Sequence, residues 1–451
     1  MTLHTQLRNL GLFDSRVPRY TSYPTAPHFS ADFSAQIPEN WMSTLDPAIP
    51  ISLYVHVPFC RHLCWFCACR TQGTSTLSPV ASYVETLKLE LELLKSRLPD
   101  GIKIGHLHWG GGTPTLLDAA MITDLSDAIA RLAPFTSDYE FSVEIDPNEI
   151  DDLRLDALAL AGMNRASIGV QDFDPSIQTK IGRIQSYEVT KTAVDGLRLR
   201  GIQSLNADIL YGLPAQNISG IQDSVLKLLS LAPDRVALFG YAHVPWVARR
   251  QTMIPANELP SPQDRLELFN AARDLFVDAG YQEIGIDHFA LKTDGLAQAV
   301  QSGHLRRNFQ GYTNDKFQTM VGVGASSIAQ YSQGYAQNTP ATSAYQKQVR
   351  AGKLPIAKGH VFSPDDKLRG RIIEALMCNF EVTYDELAAK FDLPHRTFNA
   401  FGASVDASFP VMMFVTPDAI KIRDHARALT RMIAQHFDAY AFDGAQHSSA
   451  V

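Results

Sequence analysis

The chain has 451 residues, 45% hydrophobic and 19% charged, with 40 basic against 47 acidic side chains and a net charge of −7. That composition describes a globular protein too long for a single compact core, so a large unit with a smaller one is expected. The acidic balance argues against a broad nucleic-acid-binding face, and no run of about 18 apolar residues offers a membrane span.

Residues 1–45 carry prolines and aromatics (VPRYTSYPTAPHF) without periodicity and read as an extended arm. The first residues lack the basic start, apolar middle and small-residue cleavage site of a secretory signal, so a cytoplasmic protein with reduced thiols is expected. From about residue 50, short apolar runs alternate with amphipathic segments. The runs are ISLYVHV (51–57), KIGHLHW (103–109), EFSVEI (140–145), ASIGV (166–170), SLNADILY (204–211) and VALFGYA (236–242). Helical patterns lie between them, and two (DDLRLDALALAG and VTKTAVDGLRLRG) stop at a glycine, as a left-handed helix end requires. Alternation of this kind predicts a parallel sheet. Six units in about 190 residues fall short of a closed eight-unit barrel, so the fold class is α/β with a partial (β/α)6 TIM-like barrel. EIGIDHFA (283–290) extends the sheet, whereas the polar stretch 328–346 reads as a surface connection. Beyond it, SPDDKLRGRIIEALMCNF opens with a Ser-Pro-Asp cap and begins a series of helical patterns. The expected plan is an arm over 1–45, a catalytic unit over 46–344 and a small, mainly helical domain over 345–451.

Only five cysteines occur, and four stand between positions 60 and 69. Cys60, Cys64 and Cys67, spaced x3 then x2, can supply three corners of a cubane iron–sulfur cluster from one loop. A fourth iron then lacks a protein ligand and can bind substrate, by the logic of catalytic zinc. A structural zinc site using Cys69 as fourth ligand is the alternative, although one intervening residue between Cys67 and Cys69 suits a tetrahedron poorly. A chance group of thiols is the other. Cys378 sits in an apolar helical pattern and reads as core.

HWGGGTPT (108–115) follows a predicted strand, and its glycines let backbone amides approach a ligand. It is not a phosphate-binding loop, because no Gly-Lys-Ser/Thr follows. Polar residues recur near the C-terminal ends of successive strands: Glu144, Gln171, Asp208 and Tyr241-Ala242-His243. In barrel-like α/β folds that edge carries the active site.

CRHLCWFC also matches the signature of radical S-adenosylmethionine (SAM) enzymes. Longer blocks, among them PRYTSYPTA (18–26), LYVHVPFC (53–60), EIDPNEID (144–151), IGVQDF (168–173), DILYGLP (208–214) and RNFQGYT (307–313), resemble the oxygen-independent coproporphyrinogen III oxidase family from about residue 18 to 380. The resemblance implies a partial barrel of the radical SAM type and a reaction of haem synthesis. In it a 5′-deoxyadenosyl radical initiates conversion of two propionates of coproporphyrinogen III to vinyl groups, giving protoporphyrinogen IX with loss of carbon dioxide.

It further implies one [4Fe-4S] cluster on Cys60, Cys64 and Cys67 and two SAM molecules. Matching positions are Tyr54, Gly111, Glu144 and Ile328 for the first, and Phe66, Gly112, Thr113, Gln171, Arg183, Asp208 and Ala242 for the second. An electron donor and a terminal electron acceptor are needed, and a monomer is expected. Trp65 and Ala68 stand where the family commonly has Tyr and Gly. A substrate with four propionates needs cations, for which Arg19, Arg249, Arg250, Arg306 and Arg307 are candidates. A haem-binding chaperone on the same core is the rival reading, and the PRYTSYPTA arm with Cys69 points instead to the oxidase.

Overall fold

The computed structural model describes residues 2–440 and 447–451. Twelve strands make one sheet: β1 Ile51–Val57, β2 Ile104–Gly111, β3 Phe135–Ile145, β4 Arg165–Gln171, β5 Ser204–Tyr211, β6 Arg235–Gly240, β7 Gln282–Ile284, β8 His288–Ala290, β9 Met320–Val323, β10 Ile328–Tyr331, β11 Gly334–Asn338 and β12 Ile356–Val361. Their order is β12-β11-β10-β9-β1-β2-β3-β4-β5-β6-β8-β7. Strands β1 to β6 run parallel, each paired with the next. All six coincide with the apolar runs of the sequence.

Helices on the outer face bury the stripes the sequence carries. Helix Ser78–Lys95 sets Val80, Tyr83, Val84, Leu87, Leu91 and Leu94 into the core beside Trp109 and Phe141. Gly162 and Gly201, where two helices were expected to stop, have φ of 89° and 80°. There a side chain would be strained, so glycine ends the helix cheaply. Ser363 caps helix Pro364–Asn379 through a reciprocal pair with Asp366, as the Ser-Pro-Asp opening suggested.

Three sequence expectations change. The segment 283–290 does extend the sheet, but as two short antiparallel strands turning at Gly285. The supposed surface connection 328–346 is instead β10, β11 and the start of helix Thr342–Arg350, with Tyr335 and Tyr345 buried. β10 alternates buried and half-buried positions, while β11 is buried nearly throughout although it carries Gln and Asn, so its composition reads as surface. β9, which pairs parallel to β1, went unread because four residues give no period. The sheet then continues through β12 to Val361, past residue 344.

The N-terminal segment is not simply extended. It contains helices Leu3–Asn9 and Gln36–Ser43, and Leu7, Leu12, Phe13, Val17, Tyr20 and Tyr23 share a second core with Leu376, Phe398, Ile433 and Phe437. The C-terminal helices are joined by a three-stranded antiparallel sheet, Glu381–Thr383, Met413–Val415 and Ala419–Ile422.

One buried carboxylate links the barrel to its extension. Glu90 accepts from Gly324 N at 2.8 Å, Asn338 Nδ2 at 2.7 Å and Tyr345 Oη at 2.5 Å. Burial pushes its carboxyl up to about 7 against those three donors. Glu90→Ala strands all three donors away from water. We expect about 3 kcal/mol of destabilisation, read as a lower urea midpoint; an unchanged midpoint contradicts it.

Candidate active site at the C-terminal edge of the barrel

The cysteine loop leaves β1 at Val57 and is pinned by its backbone. Gln72 N donates to Pro58 O at 2.8 Å, Thr74 N to Cys60 O at 3.0 Å and Trp65 N to Ile181 O at 2.9 Å. Trp65 and Phe66 pack against Ile177, Ile181, Leu213, Tyr241 and Ile254. The glycine turn after β2 lies directly beneath: Gly112 N donates to Val57 O and Thr113 N to Phe59 O, both at 2.8 Å. A Cβ on Gly112 would lie 2.6 Å from Phe59 O, so no side chain fits there.

The three thiols lie within electrostatic reach of one another. Burial pushes Cys60 up to about 11, against a hydrogen bond from Thr113, with Cys67 and Cys64 adding to the rise. Burial also raises Cys64, opposed by Arg183, whose Nη1 stands 3.5 Å from its sulfur. Cys67 falls to about 6, chiefly through a hydrogen bond from Cys69, with its backbone N–H at 3.4 Å and the Arg250 and Arg183 charges assisting against burial.

Among the described residues, no three His, Cys, Asp or Glu side chains converge as a single ion requires. Three thiol donors from one loop can supply three corners of an iron–sulfur cluster and leave one iron open. N–H donors to sulfur and two nearby guanidiniums compensate thiolate charge. The donor set fits an iron–sulfur cluster.

The other sequence-singled residues arrange around this loop. Tyr54 on β1 pairs in register with His108 on β2, their rings stacked at 5.8 Å. Tyr54 Oη meets His56 Nδ1 at 3.0 Å, while His56 Nε2 meets Arg70 O at 3.2 Å. A carbonyl only accepts, so Nε2 carries the proton and Nδ1 accepts from the tyrosine. Glu144, near the end of β3, receives Gly111 N at 3.1 Å and lies 3.4 Å from His108 Nε2. Burial alone would raise its carboxyl, but His108, Gly111 and His56 together hold it below the usual range.

Gln171 ends β4 at φ 71°. Arg183 follows helix Pro175–Ile181 and is not the solvated arginine that its sequence context also allowed. It donates to Gly169 O at 3.0 Å and Gln185 Oε1 at 2.8 Å, with Asp146 at 3.4 Å. Its Nε is buried with no hydrogen-bond partner in the structure. Asp208 on β5 lines, with Glu144 and His108, a cavity of about 130 Å³ inside the barrel. Burial lifts its carboxyl to about 7, partly offset by Asn206, which donates at 2.8 Å. Ala242 follows β6, and its carbonyl accepts from Gln251 Nε2 at 3.0 Å; the same amide holds Phe66 O at 2.7 Å. Ile328 opens β10, two strands from β1 on the other flank.

The candidate arginines separate. Arg249 is exposed, Arg250 donates to the cysteine loop at Thr71 Oγ1, and Arg306 pairs with Glu374 at 2.7 Å. Only Arg19 and Arg307 reach a large cavity at the barrel mouth.

The radical SAM superfamily pattern matches residues 54–228. The oxygen-independent coproporphyrinogen III oxidase of Paracoccus denitrificans is 55% identical over 451 residues, 100% of both chains. The chain belongs to the oxygen-independent coproporphyrinogen III oxidase family. The enzyme of that name from Bradyrhizobium diazoefficiens is 40% identical across 97% of this chain and 98% of its own. Among solved structures, the coproporphyrinogen III oxidase of Escherichia coli, described as a radical SAM enzyme, superposes with a TM-score of 0.89 at 36% identity, covering 94% of this chain and 98% of that one. Family likeness therefore runs through the C-terminal region, where motifs alone gave little.

Asp208 yields a pH test. Its carboxyl lies above the unfolded value, so the folded protein holds an extra proton between about pH 4 and 7 and loses stability as pH rises through that window. Asp208→Asn removes the penalty and keeps an acceptor for Asn206. The variant's stability relative to wild type should climb from about pH 4 to about pH 7 and level off above. A flat difference across that range contradicts the assignment.

Proposed function

We propose that the chain carries out the reaction for which its relatives are named, oxidising two propionates of coproporphyrinogen III to vinyl groups and releasing carbon dioxide without oxygen. The observation that carries this is the loop that brings three thiols within electrostatic reach of one another on the C-terminal edge of the barrel, in a chain collinear with those oxidases throughout. A propionate β-hydrogen is not acidic, so no side-chain base could remove it; a [4Fe-4S] cluster with SAM supplies, when bound, a carbon radical that can.

The chain's own groups bind, orient and exclude water. Cys60, Cys64 and Cys67, all half-buried, would hold the cluster. Around a first SAM we assign Tyr54, Gly111, Glu144 and Ile328. Glu144, kept ionised by its neighbours, offers an acceptor to an ammonium or hydroxyl, and Gly111 lets the backbone come close. Around a second we assign Phe66, Gly112, Thr113, Gln171, Arg183, Asp208 and Ala242. The unpartnered Arg183 Nε suits a carboxylate, and Asp208 suits ribose hydroxyls. No side chain is assigned to bond breaking itself.

The balance of the reaction requires an electron donor and a terminal acceptor of the remaining electrons. Thiols that must stay reduced suit the cytoplasm, and no helix of the described residues is long and apolar enough to cross a membrane. We assign the catalytic unit to residues 46–344 together with the sheet's continuation through β12 to residue 361, with the flanking segments as its cap, acting as a monomer.

Anaerobically reconstituted protein given coproporphyrinogen III, SAM and a reductant should form vinyl product and 5′-deoxyadenosine together. Serine at any one of Cys60, Cys64 or Cys67 should abolish cluster absorbance and turnover. Iron binding and turnover that survive each replacement refute the assignment.

A further inference from the structure

At the barrel mouth, beside the ends of β5 and β6, lies a cavity of about 600 Å³ lined in part by Tyr211, Gly240 and Tyr241. Its charges do not balance. The carboxylates on its wall are already engaged: Glu283 with Arg273 and Arg427, Asp424 with Arg427, and Asp287 with His288 at 2.7 Å. Four further guanidiniums line it, from Arg19, Arg265, Arg307 and Arg431. Among the described residues none of these four forms an ion pair with an Asp or Glu.

They are oriented almost wholly by backbone oxygens. Arg19 Nη2 donates to Gly240 O at 2.7 Å, and Arg265 Nε to Val451 O at 3.0 Å. Arg307 donates to Tyr20 O and Arg19 O, both at 3.3 Å, with its plane 4.4 Å over the Tyr312 ring. Arg431 donates to Val17 O at 2.5 Å and Ser449 O at 2.9 Å. Arg307 Nη1 is buried with no partner at all. The cations also feel each other: burial and then Arg19 and Arg307 draw Arg431 down to about 9, and burial lowers Arg19 and Arg265. The charge of Asp287 reaches Arg19, Arg307 and Arg431, so one carboxylate is shared among three cations and the cage stays net positive.

Arg19 is exposed and the other three are half-buried; clustered cations that outnumber their counter-charges cost stability unless something anionic completes them. A single small anion cannot neutralise four separated guanidiniums, whereas a molecule bearing several carboxylates can. Guanidinium forks match carboxylates two bonds at a time, and the volume lies in the range of a sizeable organic ligand. Resting on the reaction proposed above, we propose that this arginine cage seats the substrate's carboxylates: Arg19, Arg265, Arg307 and Arg431 hold the propionates not being oxidised, and the reacting one extends past Tyr241 toward the cofactor edge at Ala242. The cage therefore reads carboxylate number and spacing. Each side chain here is a positioning residue.

The test uses full-length, cluster-reconstituted protein with coproporphyrin III, the stable fluorescent tetracarboxylate, and its tetramethyl ester. Wild-type protein should bind the acid and hold the ester at least about tenfold more weakly. Arg265→Gln and Arg307→Gln should each weaken binding of the acid about tenfold or more, leave the ester unchanged and keep the cluster's visible absorbance. The corresponding lysine variants should fall between. In turnover, KM for coproporphyrinogen III should rise while kcat changes far less, because the lost contacts hold substrate and transition state alike. If both glutamine variants bind the acid and turn over with wild-type KM, the cage is overturned and the reaction stands. If wild-type protein binds no tetracarboxylate, both readings fall.

Discussion

Backbone meets backbone where the cysteine loop crosses the glycine turn. Val57 and Phe59 carbonyls accept from Gly112 and Thr113 at 2.8 Å, and no room remains for a side chain at position 112. Two adjacent parallel strands thus hand their trailing loops to each other at the shortest distance two chains allow. Everything else at the barrel edge takes its position from that crossing. The thiols project from one side of it, the Gly111 amide reaches Glu144 on the other, and Tyr54 and His108 stack immediately below. A rigid floor of this kind costs no ordering when a ligand arrives, which is how a protein spends folding energy on pre-organisation.

Charge within the one small cavity inside the barrel is set in opposite senses. Glu144 is held ionised by a histidine and an amide, while Asp208, in the same small cavity, is lifted toward neutrality because burial outweighs its one amide donor. Two carboxyl groups of the same chemistry therefore differ in charge at neutral pH, set by what surrounds them. At the mouth the imbalance is cationic. Backbone carbonyls from Val17, Pro18, Tyr20 and Gly240 point the guanidiniums inward without quenching them.

Much of this could be read from the chain itself, and the reasons are specific. β1 to β6 are covered on both faces, so their apolar runs are nearly continuous and stand out against the amphipathic helices. The cysteine triad and the glycine turn declare themselves because thiols are rare here and three consecutive glycines rarer. The strands past Met320 were obscured by brevity and by the Gln and Asn that they carry at or beside buried positions. The N-terminal segment was misread because its apolar residues are spaced by prolines rather than by a period, yet they fill a core. Arg265 and Arg431 carried no signal. Each lies in a helical pattern of ordinary polarity, and only the packing of helix Pro262–Asp278 and helix Thr430–Gln435 turns them inward. Arg306 and Arg307, adjacent in sequence, could not be told apart, although one pairs with Glu374 and the other keeps a buried nitrogen unmatched.

The shared core of the two flanking segments bears on the order of assembly. Leu7, Phe13, Val17, Tyr20 and Tyr23 find their partners around Leu376, Phe398, Ile433 and Phe437, which leave the ribosome hundreds of residues later. Every strand from β1 to β12 is made in between. Vectorial synthesis therefore hands the cell a barrel before a lid, and leaves the early segment unsatisfied until translation is nearly finished. Clasping the two ends through Arg431, which donates to Val17, Pro18 and Ser449 carbonyls, comes last.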